Sequence, residues 1–180
     1  MSNARTLAST INSSSQIVVP SGGVNFGTST DGSGTVTGGI LDDYEEGTFT
    51  PEVYDANSGG NQLTSNVNYG AYTKIGNLVT IHFNFYNIDT SGATATYTLY
   101  FRNLPFTAKS ISNQGIGTGA VICDKIITGG GFLSAISAPS TNYATIRKMG
   151  DNTIDSLLKV QDIGISGTSD IAFSLTYRVV

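Results

Sequence analysis

The side chains able to do chemistry are few: 13 Asp or Glu, 9 Lys or Arg, one histidine and one cysteine in 180 residues. The densest group is LDDYEEGTFTP, residues 41–51, where Asp42, Asp43, Glu45 and Glu46 surround Tyr44 just before Thr and apolar residues begin to alternate. Paired carboxylates can cleave glycosides when one acts as acid and the other as base or nucleophile at a set separation. The candidates are Asp42, Asp43, Glu45, Glu46, Glu52, Asp55, Asp89, Asp124, Asp151 and Asp155, and their order in the sequence does not itself place two of them at that separation. Sugar-cleaving sites also commonly use Trp platforms, and the chain has Trp 0. A carboxylate cluster can collect Ca²⁺, but DDYEEG lacks the D-x-D-x-D-G spacing of a calcium loop. The acids are therefore expected to be solvated or to bridge subunits, with no catalytic, cofactor or metal site.

His82 would have to carry any imidazole mechanism, yet no acidic residue stands two positions away on either side. It reads as a surface or subunit-contact histidine. Cys123 ends the apolar run AVIC with no base nearby in sequence, which suits a packed thiol better than a nucleophile. No GxSxG, P-loop or HExxH pattern occurs. A net charge of −4 opposes a nucleic-acid partner. The start, MSNARTLASTINSSSQIVVP, offers no continuous apolar stretch for a signal peptide or membrane span, so membrane insertion is not expected and synthesis should be cytosolic.

Positioning falls to strands. From about Thr48 onward apolar residues alternate with polar ones, the period of a sheet with one buried face. In LVTIHFNFYNI (78–88), Val79, Ile81, Phe83 and Phe85 share a face; in DIAFSLTYRVV (170–180), Ile171, Phe173, Leu175, Tyr177 and Val179 do. ATYTLYF (95–101), IGTGAVIC (116–123), GFLSAIS (131–137) and YATIRK (143–148) read as further strands between polar turns. NTIDSLLKV fits a helix or a strand equally. Gly76 and Asn77 should close a hairpin between 67–74 and 78–88, and Pro105 should end the strand from 95. About eight or nine short strands point to an all-β antiparallel sandwich, jelly-roll-like. Residues 1–40, rich in Ser, Thr, Asn and Gly, cannot bury enough apolar area to fold alone and read as an extended arm. An acidic joint (41–47) would then lead into the β domain (48–180).

Three stretches, LDDYEEGTFTPEV (41–53), YGAYTKIGNLVTIHF (69–83) and LPFTA (104–108), resemble in order and spacing a carboxy-terminal domain of tail-fibre and other virion structural proteins of tailed bacteriophages, including cyanophages. The family often carries Trp where Phe49 stands, and the resemblance fades after residue 109. It implies a virion surface protein, a homotrimer of β-sandwiches, with no catalytic constellation. Asp42, Asp43, Tyr44, Glu45, Glu46 and Phe49 would then form the joint between arm and domain, with Tyr44 or Phe49 as its anchor. An arm poor in apolar residues also gains order when copies wrap one axis, turning Ile17, Val18, Val19, Val24 and Phe26 toward that axis or a docking partner.

The resulting expectation is a non-enzymatic tail-fibre component of the virion, assembled in the host cytoplasm, whose loops contact a host-surface glycan. Its nominal contact residues are Tyr54, Asn57, Asn61, Asn113, Gln114, Asn142 and Tyr143, which supply hydrogen-bonding groups and flat faces. Other tail, baseplate or capsid proteins would receive the arm. A head decoration (cement) protein is the alternative, since a 180-residue chain is short for a fibre and a flexible arm can add a strand to a capsid subunit. A polysaccharide depolymerase is the third, and it requires two carboxylates to converge in a groove.

Overall fold

The two most regular alternations in the sequence become neighbouring strands at the centre of the fold. A computed structural model of the protein describes residues 24–25, 40–41, 43–110, 117–150 and 154–179. In chain order its strands are β1 (Val24–Asn25), β2 (Ile40–Leu41), β3 (Tyr44–Phe49), β4 (Glu52–Tyr54), β5 (Gln62–Leu63), β6 (Val67–Ile75) and β7 (Leu78–Ile88). They continue with β8 (Tyr100–Arg102), β9 (Thr118–Asp124), β10 (Phe132–Ser137), β11 (Ala144–Met149), β12 (Ser156–Leu157) and β13 (Ser169–Arg178). Among the described residues no α-helix occurs; the helical turn Val160–Asp162 is 3-10.

The chain divides between Tyr44 and Glu45 into two units. In the first, β1 and β2 pair antiparallel, Val24 opposite Leu41. Ile17, Val18, Val19, Phe26 and Asp42 lie outside the described residues. In the second, one antiparallel sheet runs β3, β6, β7, β13, β9, β10, β11, β8, β4, β5, with β12 attached to β11. This sheet folds back on itself: Phe101 on β8 meets Phe85 on β7 at 5.6 Å and Phe173 on β13 at 5.1 Å, although those strands are distant along the sheet. The result is the expected all-β, jelly-roll-like sandwich, one layer from β3 to β9 and the other from β10 to β5.

The inner faces are those that alternation selects. Val79, Ile81, Phe83 and Phe85 from β7 and Ile171, Phe173, Leu175 and Tyr177 from β13 are buried, and Val53, Phe101 and Ile146 meet them from the opposite layer. Each buried large apolar side chain contributes about 1.5–3 kcal/mol. The Tyr177 hydroxyl donates to the Phe106 carbonyl at 3.0 Å, and burial pushes its phenol far above the ordinary tyrosine range.

The β6–β7 hairpin forms as expected, with Ile75 opposite Leu78 and a two-residue turn in which Gly76 has φ 56°. Near the end of β7 a bulge at Asn87 (φ 57°) brings Ile88 to the core face, and Asn87 N–H donates to Asp170 Oδ1 at 2.8 Å. The sheet passes from one layer to the other at β9, whose residues 118 and 121–124 pair with β13 and 118–120 with β10. A Cβ on Gly119 would lie 1.7 Å from the Ser174 carbonyl oxygen, so only glycine allows the two backbones this approach.

Two expectations need correction. The strand expected at 95–101 is only Tyr100–Arg102. Turns centred on Thr90–Tyr97 precede it, and the Leu99 and Tyr97 backbones bond instead to Leu158 and Val160. The strand ends ahead of Pro105, because Asn103 adopts φ 67° and donates its amide to the Thr50 carbonyl at 2.6 Å. The ambiguous NTIDSLLKV stretch resolves, over its described residues, into β12 and the entry to the 3-10 turn. Asp162 fixes that turn by accepting from Lys159 N–H at 2.8 Å while pairing with Lys148 Nζ at 2.8 Å.

Candidate ligand-binding face

Alternation that buries Val53 and Phe101 turns their neighbours outward. On the outer face of the second layer, Tyr54 stands opposite Gln62 on one side and Tyr100 on the other, and Glu52 stands opposite Arg102. Tyr143, just before Ala144 on β11, reaches the same face. Its ring meets that of Tyr100 edge to face at 5.1 Å. The Arg102 guanidinium lies 3.9 Å over the Tyr54 ring and donates to the Gly59 carbonyl at 3.0 Å. Tyr54 Oη donates to Gln62 Oε1 at 3.3 Å. Three half-buried tyrosines, a guanidinium and a carboxamide therefore share one surface. Flat rings and fixed polar groups of this kind suit a ligand with apolar C–H faces and many hydroxyls.

Asp55 positions the loop beside this surface. It is 2% exposed and accepts from Asn61 N–H at 2.6 Å, Asn61 Nδ2 at 3.0 Å and Thr94 N–H at 2.9 Å. Burial alone would raise its pKa, but the donors from Thr94 and Asn61 together outweigh burial and hold the carboxyl below its ordinary range. The side chain of Asn61 thus faces Asp55 as a clasp. Asn57 is exposed on the same loop, and Asn142 is exposed before Tyr143. Asn113 and Gln114 lie outside the described residues. The structure therefore brings Tyr54 and Tyr143 to one face. Sequence reading missed Tyr100, Arg102 and Gln62; the outward half of the alternation LYFR carried the signal for the first two.

The other acids enter separate local contacts. Asp89 accepts from Ser91 Oγ at 2.7 Å, Ser91 N–H at 2.9 Å and Ser166 Oγ at 2.8 Å, which hold its pKa below the ordinary range. Asp155 pairs with Arg147, and Tyr72 Oη donates to Glu45. Asp151 lies outside the described residues. Among the described residues, no three His, Cys, Asp or Glu side chains gather as a metal site would require. In the joint, Tyr44 is 61% exposed and Asp43 and Glu46 are also exposed. Phe49 points inward, edge-on to Phe83 at 5.2 Å. Cys123 packs against the edge of the core, and burial followed by the charge of Asp124 pushes its thiol pKa up.

The outer face of the first layer differs in character. His82, Asn84, Ala172, Ser174, Ala120 and Ile122 border a shallow concavity of about 520 Å³ there. Small side chains on the central strand β13 form its floor.

No family model matches the chain, and no curated protein matches it. Among solved structures, the chain is similar to the Dettilon tailspike protein (gp208), with a TM-score of 0.51 and 14% identity over 75% of this chain and 24% of that one. The likeness is one of fold, and this chain spans about a quarter of the length of that tailspike protein.

Proposed function

We propose that the protein is a non-enzymatic structural component of a tailed-bacteriophage virion, a homotrimeric tail-fibre or tailspike-like appendage whose β domain contacts a glycan on the host surface. The observation that carries this reading is the shared fold with a tailspike protein over 75% of the chain. The order of LDDYEEGTFTPEV, YGAYTKIGNLVTIHF and LPFTA, with its resemblance to virion domains of tailed phages, supports it from the sequence side. The tyrosine and arginine surface of β4, β8 and β11 is the ligand face, and the segment before the β domain attaches to the particle.

Reconstruction of the particle, with the chain located in it, tests the assignment. Density at the tail or baseplate is expected, whereas density spread over the capsid would establish the cement alternative. Host polysaccharide incubated with the purified protein should show no new reducing ends; their appearance would restore the depolymerase. Tyr100→Ala and Arg102→Ala should each weaken adhesion to host cells about tenfold, equivalent to about 1.4 kcal/mol. Unchanged adhesion in both folded variants would remove the ligand face.

A further inference from the structure

Cross-strand register on the outer face of the first layer arranges side chains in rows across β6, β7, β13 and β9. One row is Thr73, Thr80, Thr176 and Thr118, with the Thr80 and Thr176 hydroxyls 3.0 Å apart. Next to it, Ala71 faces His82 and His82 faces Ser174. The following row is Tyr69, Asn84, Ala172 and Ile122. None of these rows contains an acidic residue, Lys or Arg. Charge appears beyond them, at Arg178 on one end, at Asp124 and Asp170 on the other, and at the exposed Glu46 on the edge strand β3.

Large apolar surface is nonetheless open in these rows, where Ile122 is 74% exposed and Tyr69 47%, and it continues to Tyr86 and Val67 at the Asp124–Asp170 end. The opposite outer face of the same sandwich carries Glu52, Arg102 and Arg147. The middle of the first face, across β6, β7, β13 and β9, is thus built without the charges that keep a surface in water. Depletion of charge with retention of tyrosine and aliphatic side chains is the composition of an interface core.

We infer that this face is covered by a second copy of the chain, and that it is the surface turned toward the symmetry axis of the assembly. An uncharged face needs an uncharged complement, and closed symmetry supplies one by turning the same face of every copy inward. Four strands about 4.8 Å apart and about 30 Å long present roughly 550 Å² in projection. Side-chain relief takes that toward the about 800 Å² per partner of a stable interface. The concavity over Ala172 and Ser174 receives a side chain from the neighbouring copy, while Arg178 and the Asp124–Asp170 end stay at the wet rims.

This inference rests on the self-association in the function proposed above but not on the host ligand. Light scattering of the full chain at micromolar concentration should give a whole multiple of the monomer mass. Ala172→Arg and Ser174→Arg, which place a cation on the floor of the concavity, should give folded monomers, whereas Arg102→Glu on the opposite face should leave the assembly intact. In the unaltered protein, iodination should spare Tyr69 while modifying Tyr97, which is 53% exposed. The iodination result decides the matter even where an arginine variant does not fold. A monomeric wild type removes both the self-association and the face; an assembly that survives in a folded Ala172→Arg variant, or equal iodination of Tyr69 and Tyr97, removes the face alone.

Discussion

Asp55 shows how an isolated carboxylate in a sequence becomes structural. Its charge is removed from water, and the donors of Asn61 and Thr94 answer it. Because its folded-state pKa lies below the ordinary value of 3.8, its contribution to stability is complete above that value and is lost as pH falls through the lower one. Asp55→Asn should therefore cost about 1–3 kcal/mol at neutral pH, the range for a buried group whose partner is lost. Urea titrations repeated toward acid should show the gap between variant and parent closing below pH 3.8; a constant gap would mean that the carboxylate's charge is irrelevant. The acidic cluster that stands out in the sequence does not predict this role, since Asp55 lies outside it and its partner Thr94 is 39 residues away. Asn61 was legible as a loop residue, but its direction, toward Asp55, depends on a fold of the loop that no local pattern encodes.

At the scale of elements, β3 and β6 are joined by two reciprocal insertions of a ring over a glycine. A Cβ on Gly70 would meet the Phe49 ring at 2.5 Å, and one on Gly47 would meet Tyr72 at 2.8 Å. Phe49→Ala should destabilise the domain by about 2 kcal/mol, less than a fully buried Phe because the ring is half-buried. Gly70→Ala should be costly beside the intact Phe49 ring and milder in the Phe49→Ala background, with a coupling of about 0.5–3 kcal/mol in a double-mutant cycle; additive effects would dissociate the ring from the glycine. Gly119→Ala should lower the melting temperature further, since its Cβ would meet the Ser174 backbone rather than a movable side chain. Strands β7 and β13 were legible because alternation persists over 11 and 10 residues. The strand from 95 was overread: its alternating letters are real, but Tyr97 and Leu99 bond across to Val160 and Leu158 in irregular backbone. The proposed ligand face is half legible for a related reason, because Tyr54 and Tyr100 become neighbours only through the pairing of β4 with β8, and strand order is not written in either segment.

For the molecule as a whole, the two outer faces make opposite demands. In the proposed assembly a rotation axis would satisfy both by turning the uncharged rows of Tyr69 and His82 inward and the Tyr54, Tyr100 and Arg102 surface outward. On the proposed function, each copy would then offer one shallow site built from a few rings and a guanidinium, a weak binder of a single sugar. Strong attachment to a cell would then come from engaging several sites at once, which multiplies affinity by about 10²–10⁴ without any new contact. Ala172→Arg should consequently leave the affinity for a soluble glycan unchanged while adhesion to host cells falls by two orders of magnitude or more, on the order of that avidity gain. Calorimetry with the free sugar and a cell-adhesion assay with the same preparation separate the two quantities. If free-sugar affinity falls with adhesion, the groove over Ala172 is itself the ligand site; if adhesion persists in the monomer, a single copy suffices for it and valency plays no part.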